Sequence, residues 1–101
     1  MNIPDLNKYW GVELKRLQFD CAKMAVLMEL SWTSNADDKR AKLIFSGVTT
    51  FNFQGEKLFE SEVVELVSLE AKSKGESFLI SGELSNYLFH IECTQFSELD
   101  G

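Results

Sequence analysis

The sequence predicts a mostly β, single-domain protein. The expected architecture is an antiparallel meander of six or seven strands, folded as a curved sheet, a sandwich or an open barrel, with at most one short helix. Three observations carry this expectation. Apolar residues alternate with polar ones along most of the 101 residues, which is the period of half-buried strands. Short polar segments interrupt the alternation at hairpin spacing. A 45% apolar content with one Pro and six Gly suits a packed domain and not a disordered chain. A domain of this size buries about two-thirds of the surface it exposes when unfolded, leaving little room for a deep active site beside the core. One β-rich domain over residues 1–101 is expected, without repeats, low-complexity tracts or linkers.

Each element has its own signal. A short helical turn is expected near Pro4–Tyr9, where Pro4 suits the first helical position. Along 12–20, Val12 and Leu14 share one parity and Leu17 and Phe19 the other, so a bulge near Lys15-Arg16 is needed to put all four on one face. Asp20–Lys23 reads as a turn. Met24, Val26, Met28, Leu30 and Trp32 then share parity in a long strand with one buried side. Residues 33–40 read as a polar, mobile loop. Ala41 to Ser46 is a strand with Leu43 and Phe45 on one face, Gly47 allows a bend, and Val48 to Phe53 continues extended. Gln54–Lys57 is a turn. Residues 58–73 fit a helix face only in part, and a strand over 62–72 is preferred because the Lys72–Glu76 turn suits a hairpin. A strand over 77–84 places Phe78, Ile80, Gly82 and Leu84 on one side. After a turn at Leu84–Asn86, Tyr87, Phe89, Ile91 and Cys93 alternate in a last strand reaching about Phe96.

Charge and cysteine usage narrow the function classes. The net charge is −6, with residues 1–52 at +1 and 53–101 at −7. A negative surface repels phosphate backbones, and no Lys/Arg cluster interleaved with aromatics is visible, so nucleic acid is not an expected partner. No apolar run reaches 18 residues, so no membrane span is expected. The N-terminus lacks the basic start and apolar core of a signal peptide, so a cytoplasmic protein is expected. Cys21 and Cys93 both lie beside apolar runs and are expected to be reduced and buried.

Several segments together resemble a known group. They are Trp10-Gly11-Val12-Glu13-Leu14, Phe19-Asp20, Lys42-Leu43-Ile44-Phe45-Ser46-Gly47-Val48, and Asn86-Tyr87 with His90-Ile91-Glu92-Cys93. The chain resembles small bacterial YxiG-like proteins, which are similar in turn to immunity-protein-like domains encoded with secreted toxins. The resemblance spans roughly Trp10 to Phe96. It implies a small β-rich fold and toxin neutralisation, and it brings no catalytic residues with it.

Constellations that carry chemistry are scarce. His90 is the single histidine, and in a strand it points away from Cys93, so a Cys–His pair would need Cys21 brought near by folding. The plainer reading is a surface histidine. Two cysteines and one histidine make no zinc signature. Asp37-Asp38 stands in a segment that fails the calcium-loop pattern. Gly47, Gly55, Gly75 and Gly82 are spaced as turn and bulge residues, not as a phosphate cradle. No catalytic residue, cofactor or metal is expected. Glu60, Glu62, Glu65 and Glu70 read either as a solvated edge that discourages aggregation or as an acidic docking face for a basic partner. Trp32 is expected to cap the core. Trp10 is either an interface anchor or part of an N-terminal segment folded over an open barrel end.

The leading expectation is a non-enzymatic protein-binding module. The resemblance narrows it to an immunity protein whose acidic face, including Glu60, Glu62 and Glu65, engages a basic toxin domain. Two other classes stay open. One is a small-ligand-binding barrel or minor enzyme, with Tyr87 and His90 as first suspects despite their opposite parity. The other is a homo-oligomeric structural protein.

Overall fold

The alternation becomes eight strands among the described residues. The computed structural model describes residues 5–55, 64–85 and 87–100. A 3-10 turn at Asn7–Tyr9 precedes β1 (Glu13–Asp20), β2 (Ala25–Ser34), β3 (Asp37–Ser46) and β4 (Thr50–Gly55). β5 (Leu66–Lys74), β6 (Ser77–Leu84), β7 (Tyr87–Cys93) and β8 (Gln95–Asp100) follow. They form two four-stranded antiparallel sheets, ordered β1-β2-β3-β8 and β4-β7-β6-β5. The mostly β expectation holds, with the sandwich realised among the alternatives.

The strand count exceeds the expected six or seven because two strands change sheet at one corner. Gly47, at φ +64°, turns the chain out of β3 toward β4. Thr94 does the same between β7 and β8, so the strand expected to run unbroken to Phe96 is split. Thr94 N–H donates to Ser46 O at 3.1 Å and Thr49 N–H to Glu92 O at 2.9 Å. The β3–β8 ladder therefore passes into the β4–β7 ladder without losing its hydrogen bonds, and the simple meander ends there.

The opposite margin is joined as well. Gly11 N–H donates to Leu66 O (2.6 Å), Leu66 N–H to Val12 O (2.8 Å) and Leu14 N–H to Val64 O (2.8 Å). Glu13 stands opposite Glu65 in a one-residue bridge. The sandwich is thus partly closed toward a barrel, which removes much of the open edge that two sheets would otherwise expose.

Local chemistry explains the elements. The register of β1 against β2 shifts between Leu14 and Arg16, the expected bulge, and Val12, Leu14, Leu17 and Phe19 all pack on the core. Asp20 Oδ1 accepts from Ala22 N–H and Lys23 N–H, an Asx-type closure of the β1–β2 turn. That closure extends the turn to Met24, which is exposed at φ +47° and not the first strand residue that its parity suggests. Residues 33–40 are not a loop: β2 and β3 continue as a ladder to Ser34 and Asp37. Their polar residues pair across the strands, as in Thr33 opposite Asp38. Only Asn35 and Ala36 turn, both at positive φ (52° and 65°), as the tightest hairpins require. Alanine in that conformation costs about 1–2 kcal/mol. Ala36→Gly should therefore raise stability by about 0.5–1 kcal/mol after the extra backbone entropy of glycine is counted, a gain that urea unfolding would measure. β5 begins at Leu66; the earlier part of its expected span, 62–63, lies outside the described residues, as do Pro4, Glu56, Lys57 and Asn86.

One continuous core fills the space between the sheets. Val26, Met28 and Leu30 of β2, Leu43 and Phe45 of β3, Leu66 and Leu69 of β5, Ile80 of β6, and Phe89, Ile91 and Cys93 of β7 are fully buried. Each side chain of this size contributes about 1.5–3 kcal/mol on burial. No polar or charged residue is buried among the described residues.

The N-terminal turn plugs one end of the sandwich. Leu6 and Tyr9 are buried, and the Tyr9 ring meets Trp32 edge-on at 6.0 Å. The Tyr9 hydroxyl donates to Glu98 Oε2, and Lys8 Nζ lies 2.9 Å from Glu98 Oε1. The Tyr9 hydrogen bond first, and Lys8 second, hold the Glu98 carboxyl below its usual range. A depressed folded-state value means that this contribution is complete above the unfolded pKa, about 4.3, and is lost as pH falls through the folded one. Urea unfolding across pH 7 to 3 should show an acid loss in the wild type that Glu98→Gln lacks.

Candidate functional site

The seam between β1 and β5 brings together two of the residues that the sequence marks as interface candidates, Trp10 and Glu65. Of the expected acidic trio, Glu60 and Glu62 lie outside the described residues. Glu65 is exposed and directly opposite Glu13. Its Oε1 would lie 4.0 Å from a Cβ placed on Gly11, so an alanine there would just meet the carboxylate. Trp10 remains 46% exposed, yet it is fixed: its indole N–H donates to Leu69 O at 2.9 Å. That bond ties the ring to β5, in which Val67 is 48% exposed at the register shift between Leu66 and Ser68. The seam therefore combines a rigid aromatic, an exposed aliphatic side chain and two facing carboxylates. Like charges placed directly opposite in an antiparallel pair oppose folding. Lys15, 3.0 Å from Glu13, relieves only one of the two.

Neither Glu13 nor Val67 stands out in the sequence as a site residue. Glu13 meets Glu65 through a pairing between strands distant in the chain, so no hairpin spacing reveals it. Val67 looks like a core valine until the bulge beside it turns the parity.

The other candidates do not converge. His90 is exposed on the outer face of β7, between Asn52 and Ser81 in register. Tyr87 points inward and stacks on Phe53 at 4.8 Å. Cys93 is buried on the side of β7 away from His90, and burial pushes its thiol up to about 11 against a smaller lowering by a backbone hydrogen bond at Gln95. Cys21 is exposed in the β1–β2 turn, not buried as expected, because the Asp20 closure places it outside the sheet. No group of three metal-ligating side chains occurs among the described residues, and none of their helices is long and apolar enough to cross a membrane.

A family model described as YxiG-like protein matches residues 3–81. The chain belongs to the YxiG-like family. No curated protein matches it. The matched part of this YxiG-like chain includes both strands of the seam, with Trp10, Glu13, Glu65 and Val67, and ends inside β6.

Proposed function

We propose that this YxiG-like protein is a non-enzymatic protein-binding module that docks a basic partner on the β1–β5 seam. More narrowly, we infer an immunity protein that neutralises a bacterial toxin in the cytoplasm by covering the toxin's basic substrate-binding surface. The observation that carries the docking reading is Trp10, half exposed yet pinned to Leu69 O, beside the facing carboxylates of Glu13 and Glu65. Rigid aromatics surrounded by charge are the usual anchors of protein interfaces, and charge around them speeds encounter. The toxin part of the reading rests on the resemblance of YxiG-like proteins, in turn, to immunity-protein-like domains. The acidic half of the chain is consistent with it.

The test is a pull-down of tagged protein from lysate of the source organism, read by mass spectrometry at low and high salt. A single abundant protein should be captured at low salt and should weaken as salt rises. Glu65→Lys should slow its association roughly tenfold at low salt, and Trp10→Ala should weaken it roughly thirtyfold at either salt. Capture that is the same for wild type and both folded variants would remove the seam from the proposal.

A further inference from the structure

β4 is an edge strand without the usual protection. The chain leaves β2 at the corner, where Val48 N–H donates to Met24 O at 2.9 Å. β4 then runs on past the start of β2, paired with β7 on one side and with no strand on the other among the described residues. Residues 43–55 contain no Lys, Arg, Asp or Glu, the longest such stretch in a chain that is 26% charged. β4 falls at the end of that stretch, and it has neither Pro nor bulge. Charges, Pro and bulges are the devices by which edge strands avoid one another. The other margins are guarded. Glu98 of β8 is held by Lys8 and Tyr9, and on β5 the Trp10 indole occupies Leu69 O ahead of Lys72 and Lys74. The inner face of β4 is aromatic. Phe51 and Phe53 stand opposite buried Ile91 and Phe89, and the rings of Phe19, Phe51, Phe53 and Tyr87 follow one another at 5.6, 6.5 and 4.8 Å. Phe51 packs on the core, but Phe53 is 42% exposed.

We propose that β4 pairs with β4 of a second copy, antiparallel about a two-fold axis, joining two four-stranded sheets into one of eight. The strand is its own complement. With Asn52 opposite Asn52 of the second copy, Phe51 stands opposite Phe53 on both sides of the axis, and Thr50 opposite Gln54. Both aromatic pairs fall on the inner face, where such cross-strand pairs stabilise a sheet, and they cover the exposed Phe53. The polar pairs fall on the outer face. Along the paired strands no charge meets a like charge, although each copy carries −6. A strand chosen by its charge finds nothing on β4 to select it, whereas a second copy matches it position by position. The contact is one strand of six residues wide, below the area of an obligate dimer, so the dimer is reversible. β4 and β5 are opposite margins of the sheet, so this edge and the Trp10 seam are separate surfaces and the two proposals stand or fall separately.

The test is sedimentation velocity of the purified protein over a concentration series at low and high salt. A monomer–dimer equilibrium is expected. It should shift toward dimer as salt screens the repulsion between two copies of charge −6, the opposite of the salt dependence expected for a basic partner on the seam. Asn52 is exposed, so its variants keep the fold, which circular dichroism verifies. Asn52→Lys should weaken the dimer roughly tenfold by setting two ammonium groups face to face, and Asn52→Glu should do the same with two carboxylates. Mixing the two variants should restore the dimer, because each residue 52 then faces its opposite charge. Trp10→Ala, at the far margin, should leave the equilibrium unchanged. The proposal is overturned by a monomer at every concentration, which would leave the edge to a segment of some other protein. It is equally overturned by a dimer that Asn52→Lys leaves as tight as the wild type, or by a mixture no more dimeric than its components.

Discussion

Gly82→Ala should destabilise the protein by about 3 kcal/mol, at the upper end of overpacking costs. Gly82 is in the middle of β6, facing the core, and the Phe89 ring of β7 lies flat over it in the neighbouring strand. A Cβ there would overlap two carbons of the ring and lie 2.8 Å from a third, Cε2. The ring cannot swing away, because Phe89 is fully buried among side chains from both sheets. Phe89→Leu alone should cost about 1–2 kcal/mol by leaving a gap. In the Gly82→Ala background the same change should restore stability, since the smaller side chain vacates the space the methyl needs. Urea unfolding of the four proteins closes the cycle. If the two single costs simply add, the close approach of ring and glycine is not what sets the effect.

Gly47→Ala should cost a similar amount through two separable causes. The residue holds φ +64°, which costs an alanine about 1–2 kcal/mol wherever it occurs. Its Cβ would also overlap Thr94 Oγ1 and lie 3.3 Å from Thr94 Cβ, because the two sheet-changing strands cross there. Adding Thr94→Ala removes the hydroxyl but not the backbone strain, so it should recover about half of the loss. Thermal unfolding of single and double variants measures this. Full recovery would assign the whole cost to the hydroxyl, and no recovery would assign it to the backbone.

Much of the fold is legible in the sequence, for reasons specific to each strand. β2 is clear because Val26, Met28 and Leu30 keep one parity with nothing intervening. The bulge at Lys15 is legible because Leu14 and Leu17 cannot share a face without it. The same three-residue slip separates Cys93 from Phe96, and it marks the sheet change at Thr94. A reader who follows Tyr87 to Cys93 as one alternation continues past it because Phe96 is apolar. Residues 33–40 hide a hairpin because it projects beyond the core, so neither face needs apolar side chains and only the Asn35-Ala36 backbone betrays the turn. The candidate site is legible only in part. Trp10 and Glu65 stand out as residue types, but their meeting depends on β1 pairing with β5, which no local pattern encodes.

The order in which strands pair bears on how the chain acquires its structure. β1 and β2 pair with their immediate successors, making a β1-β2-β3 unit, and β5 and β6 do the same, making a β5-β6-β7 unit. Every other pairing is distant along the chain: β1 with the start of β5, β4 with β7, and β3 with β8. β4 has no partner in either sheet until β7 arrives, and β7 is the strand that β6 also needs. Loop closure must therefore precede the contacts that reward it, which places folding on the order of milliseconds to seconds, not microseconds. During synthesis, β3 and β4 wait with open backbone edges while more than thirty further residues emerge. The Phe-rich β4 then depends on the speed of ribosomal elongation, or on a chaperone, to keep it from pairing with another chain.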